Sequence, residues 1–157
     1  MKRKIVFWGL TILCALSIFS FSAQSATDSS AISKSITEKV LDVVSNGAEK
    51  TETERDSEMI RMHEIIRQVA HGGLFFCLGL CCYCLCNAYS LTFHTSAIIS
   101  SIFCSIYALT DEWHQTFSPG RTFEGIDLLV DIASACGAIL ILYCIQLILK
   151  WRGRKAS

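Results

Sequence analysis

Tyr107-Ala-Leu-Thr-Asp-Glu-Trp-His-Gln-Thr-Phe-Ser-Pro-Gly-Arg121 is an island of ionisable side chains between two long apolar runs. Asp127 and Asp131 follow inside the second run. A charge at the centre of a bilayer costs roughly 2.5–3.5 kcal/mol on insertion scales. Asp111, Glu112, His114, Arg121, Asp127 and Asp131 gathered at one boundary therefore call for more than packing as an explanation.

Outward from the island, the apolar residues lie in blocks. Of 157 residues 52% are hydrophobic, and there is no net charge. Ile5 to Phe21 holds no charge; Val69 to Leu91 holds His71, Leu91 to Leu109 holds His94, and Ile126 to Leu149 holds Asp127 and Asp131. Blocks of about 17–25 residues match a hydrocarbon core about 30 Å thick. The fold class is thus all-α: one polytopic membrane domain over 1–157 with four transmembrane helices, at about 5–23, 68–89, 91–110 and 126–149. Residues 24–67 form the first extracytoplasmic loop and 111–125 the motif loop. The first block also reads as a signal peptide, since Lys2-Arg-Lys4 precedes it and Ala23-Gln-Ser25 ends it with small residues.

Lys2, Arg3 and Lys4 before the first block, and Lys150, Arg152, Arg154 and Lys155 after the last, place both termini in the cytoplasm of a multi-pass cell-membrane protein. The long loop also carries Lys and Arg, but the first helix dominates the assignment. In that loop Ile32, Ile36, Val40 and Val43 recur at helical spacing among charges, which predicts an amphipathic helix. Asn46 to Glu58 reads as irregular, and Met59 to Val69 as helix running into the second span. With four spans, His71, the motif loop, Asp127 and Asp131 all fall at one leaflet, whichever way the protein is oriented. All nine cysteines lie in apolar blocks without polar neighbours, so they read as small apolar packing residues.

Asp111 with Gln115, Glu112 with Gln115, and Asp127 with Asp131 each share a face if their segments are helical. Pro119-Gly120 forces a turn, after which Arg121 can fold back to pair with Asp127 or Asp131. Three readings use these groups. In one, the mouth binds a polar or phosphate-bearing ligand through His71, Asp111, Glu112, Gln115, Arg121, Asp127 and Asp131. In another it is catalytic, with His71 or His114 as acid or base, Glu112 as a second carboxylate and Arg121 as an oxyanion clamp. In the third, the same side chains only staple helix ends together. No HExxH or two-metal spacing occurs, so no metal and no cofactor are expected. The remaining candidates are blander. His94 and His63 read as solvated, and Tyr107, Trp113 and Trp151 as interfacial anchors. Gly72, Gly73 and Gly79, with Ser134, Ala135, Gly137 and Ala138, read as close-packing positions.

Asp111-Glu-Trp-His-Gln115, Phe117-Ser-Pro-Gly-Arg121, and Asp127 with Asp131 resemble the signature of the VanZ-like membrane family. Arg67-Gln-Val-Ala-His71 with Phe75, Leu78 and Gly79 is similar to the family's second span, and Phe21-Ser-Ala-Gln24 with Ser29 and Ser30 to the end of its first. Leu74, Gly72 and Ser134 depart from the family's frequent glutamate, aromatic and glycine. The resemblance covers roughly 5–150 and favours keeping the first block as a span. It implies a cell-envelope protein; the founding member is linked to low-level teicoplanin resistance. The expectation is binding of a wall precursor or surface polymer that lowers glycopeptide susceptibility. The alternatives are a membrane enzyme acting on a lipid-linked phosphate or envelope polymer, and a structural or partner-binding membrane protein. Membrane lipids are the expected partners and nucleic acid is not; the oligomeric state is left open.

Overall fold

The computed structural model describes residues 1–23, 52–119 and 121–155. Four helices account for nearly all of them: α1 Lys2–Ser22, α2 Glu52–Ala88, α3 Phe93–Gln115 and α4 Gly125–Lys155. Each is long and apolar enough to cross a membrane; the 21 residues of α1 alone rise about 31 Å. The amphipathic helix expected around Ile32 to Val43 lies outside the described residues, as does the side chain of His63.

Two boundaries differ from the sequence reading. Residues 52–58, expected to be irregular, are the first turns of α2. The third helix does not stop near 110 but continues to Gln115, taking Asp111, Glu112 and Gln115 out of the motif loop. Nothing in 111–115 breaks a helix, and the residues that do, Pro119 and Gly120, come later.

α2 is the centre of the bundle and packs against all three other helices. Its buried stripe is Phe75, Leu78, Cys82 and Leu85, at alternating steps of three and four. The stripe of α3 is small and partly polar: Ser96, Ser100, Cys104 and Ala108. Small residues let backbones approach, and dispersion between close surfaces is what holds helices together in lipid. Gly79 is the most closely approached of the described glycines, since a Cβ built there would stand 2.5 Å from the Ala135 carbonyl oxygen of α4. Gly72 packs on Ser134 and Val130, whereas Gly73 and Gly137 meet nothing within 4 Å and are not packing positions. Large apolar side chains such as Ile102, Ile106 and Leu140 point outwards, as a lipid-facing surface requires.

At the end holding both termini, Tyr83 donates to the Gln146 side-chain oxygen at 2.7 Å and ties α2 to α4. His94, exposed as expected, meets the Tyr143 hydroxyl at 2.8 Å. The α2–α3 turn places Ser90 at φ 63, and Thr92 caps α3 by accepting from the Thr95 amide. Trp113 and Trp151 are exposed at the helix ends. Tyr107 is not an exposed anchor: it is half-buried and donates to the Ala15 carbonyl at 2.7 Å, bridging α3 to α1.

Gly79→Leu should lower the unfolding free energy of the purified protein by about 1–3 kcal/mol, because the backbone of α4 cannot yield as a side chain can. Gly73→Leu should leave it unchanged. Thermal unfolding followed by circular dichroism separates the two.

Candidate functional site

The stripes that form the core continue into the polar groups. On α3 the step after Ala108 reaches Asp111 and Glu112, then Gln115, and all three are buried. On α2 the step before Phe75 is His71, and on α4 the step before Ala135 is Asp131. α1 ends in Ser22, fully buried. Four helices thus bring their polar residues to one end of the bundle through the same faces that pack below.

His71 is the hub. Its Nδ1 lies 2.9 Å from Asp131 Oδ2, and its Nε2 lies 3.3 Å from Asp111 Oδ2 and 3.2 Å from Ser22 Oγ. Carboxylates therefore face both ring nitrogens, and only an imidazole protonated on both can donate to each side. Ser22 donates to Asp111 Oδ2 at 2.8 Å, and the Gln115 amide donates to the same oxygen at 3.1 Å. Ser118 donates to the Ser22 carbonyl at 3.1 Å, which satisfies an orphan acceptor at the end of α1. In this dry setting each group holds its neighbour, since an unpaired buried charge would cost several kcal/mol.

A second pairing lies closer to the surface. Arg67 donates to Asp127 Oδ2 at 2.9 Å and Gln68 donates to Asp127 Oδ1 at 2.8 Å. The expected partnership of Arg121 with Asp127 or Asp131 is thereby corrected. Asp127 is taken by Arg67, and Asp131 by His71. Arg121, half-buried, donates instead to the neutral Gln115 Oε1 at 3.1 Å and makes no ion pair among the described residues. Burial and then the nearby Arg67 guanidinium lower its pKa from the ordinary arginine value, while Asp111, Glu112 and Asp127 pull the other way. Arginine stays charged throughout.

Glu112 is the other unusual group. It is 1% exposed, and its Oε1 accepts the Glu124 amide at 2.6 Å, placing a carboxylate at the start of α4 where the helix dipole favours it. Its Oε2 is buried and has no hydrogen-bond partner among the described residues.

The catalytic candidates fare unequally. His71 is held from both sides. Ser22, His71 and Asp131 stand in the order of a nucleophile, base and carboxylate, but Ser22 is fully buried and gives its proton to Asp111. His114 stacks on Phe19 at 4.5 Å between ring centroids, outside the His71 cluster. Among the described residues no group of three His, Cys, Asp or Glu is arranged to hold a metal ion.

Sequence reasoning gave no site role to Ser22, Arg67 and Gln68. Arg67 and Gln68 precede His71 by four and three positions on one helix, and that spacing was the available signal. Ser22 carries no comparable pattern.

Fold and site together define a polytopic α-helical membrane protein with a closed polar cluster at one end of its bundle. The chain belongs to the VanZ/LLP1 family, whose model matches residues 7–149. No curated protein and no solved structure matches it.

His71→Leu should destabilise the protein by about 3 kcal/mol, since two buried carboxylates lose their shared donor. Arg67→Met should cost about 1 kcal/mol or less, because Gln68 remains on a partly exposed Asp127. Unfolding of both variants in one detergent measures the contrast.

Proposed function

We propose that this VanZ-like protein binds an anionic group of a wall precursor or surface polymer at its polar mouth, with Arg121 holding the anion. The observation that carries this reading is the state of Arg121. Among the described residues Arg67 pairs with Asp127, and His71 with Asp111 and Asp131. Arg121 has no such partner there and rests on a neutral amide oxygen. A planar guanidinium with donors unused among the described residues, half-buried beside a membrane boundary, suits a phosphate or carboxylate and strengthens its hold as water is excluded. His71 and the acids form the frame, and Gln115 sets the guanidinium's position.

In this reading the mouth faces outwards from the cell membrane and both termini face the cytoplasm, in keeping with the basic residues near each terminus. Engagement of a wall precursor there lowers susceptibility to glycopeptides such as teicoplanin.

Arg121→Ala should cost about 1 kcal/mol and still fold, because it removes one hydrogen bond and leaves the Gln115 side-chain oxygen without that donor. It should abolish both co-purification of a phosphate-bearing envelope molecule and any susceptibility phenotype, and Arg121→Lys should restore them only in part. A variant that keeps both properties contradicts the binding role. For orientation, Thr122→Cys, at an exposed position of the loop, should react with a membrane-impermeant maleimide on intact cells above the wild-type background. Reaction only after permeabilisation reverses the assignment.

A further inference from the structure

Once the paired groups are set aside, the mouth has two unmatched charges of opposite sign. Arg121 has no carboxylate partner, and Glu112 Oε2 has no partner of any kind, among the described residues. They do not bridge each other. Glu112 and Gln115, which holds Arg121, lie on one face of α3 about 4.5 Å apart along its axis. Glu112 is fixed from its other side by the Glu124 amide, so the free oxygen is held in place rather than swinging in solvent.

A ligand that meets both groups must carry an anion and a hydrogen donor. The ammonium is favoured over a hydroxyl as the donor. Charge-assisted hydrogen bonds are about twice as strong as neutral ones, and a buried carboxylate needs a counter-charge as well as a proton donor. The surrounding acids oppose a ligand with excess negative charge: among the described residues, Asp111, Glu112, Asp127 and Asp131 are accompanied by Arg67, His71 and Arg121. An ammonium offsets one charge of the phosphate, so such a ligand adds less negative charge to that balance than an amine-free ester does.

We propose that the mouth recognises a phosphate ester bearing a nearby ammonium, with Arg121 on the phosphate and Glu112 Oε2 accepting from the ammonium. The assignment rests on the anion-binding reading above and narrows its ligand class to zwitterionic phospho-amines, whether presented by a lipid headgroup or by a polymer substituent. Glu112 becomes the residue that sets specificity.

The test uses the full chain in detergent micelles, titrated by calorimetry with O-phosphoethanolamine, glycerol 1-phosphate and inorganic phosphate. A second arm uses the chain in bilayer discs of equal phosphatidylethanolamine and phosphatidylglycerol, with retained lipid identified by native mass spectrometry. O-phosphoethanolamine should bind about tenfold tighter than glycerol 1-phosphate, equivalent to about 1.4 kcal/mol. Glu112→Gln, which can still accept the Glu124 amide, should bring that ratio close to one while inorganic phosphate still binds. Glu112→Asp, which keeps the charge, should retain part of the preference. Arg121→Ala should lose all three soluble probes. Retention of phosphatidylethanolamine in discs supports a lipid source; soluble preference without it supports a polymer-borne group. If Arg121→Ala binds every probe as wild type does, the anion reading falls and this inference with it. If Arg121→Ala loses binding but the wild type shows no preference for the amine, or Glu112→Gln keeps the preference, the zwitterion assignment alone is overturned. Failure of the wild type to bind any probe in either arm overturns both.

Discussion

One imidazole shared between two buried carboxylates organises this molecule. His71 of α2 reaches Asp131 of α4 through Nδ1 and Asp111 of α3 through Nε2, and Ser22 of α1 joins on the second side. In hydrocarbon there is no water to satisfy such groups, so they must satisfy one another or not be there. That requirement fixes the rotation of all four helices about their axes. It also explains why the small-residue stripes below the cluster are continuous with it: the face that packs closely is the face that carries the polar groups.

The consequence for function is indirect. By consuming Asp111 and Asp131, His71 leaves them unable to neutralise Arg121. Arg67 does the same for Asp127. Among the described residues the guanidinium is left with an amide oxygen, and Glu112 with one buried oxygen that has no hydrogen-bond partner. A site with charges in waiting thus emerges from a frame whose own charges are balanced. The frame supplies rigidity, and in the proposed function the two unmatched groups supply recognition.

The four helices were legible because charge-free blocks of membrane-spanning length are hard to read any other way. The convergence of His71, Asp111, Glu112, Gln115, Asp127 and Asp131 was legible too, from parity of spans and helical spacing. What escaped was pairing. Nothing in the order of residues says that Arg67, read on the helix that leads into the second span but given no partner, reaches Asp127 before Arg121 does, since both lie within reach of the same boundary. The helical extension through Gln115 was hidden because charges at a membrane edge read as loop, although the residues themselves favour helix. Ser22 was hidden because a serine ending a helix usually needs no special partner, and Tyr107 because an interfacial tyrosine and a bridging one look alike in sequence.

The polar frame depends most directly on the coupling of His71 to its acids across helices. A double-mutant cycle in lipid discs with His71→Ala, Asp131→Ala and the pair measures it. A coupling energy of about 1–3 kcal/mol is the predicted result for residues sharing one buried network. Losses that simply add, within about 0.5 kcal/mol, would mean that the two side chains do not depend on each other, and the frame described here would not exist.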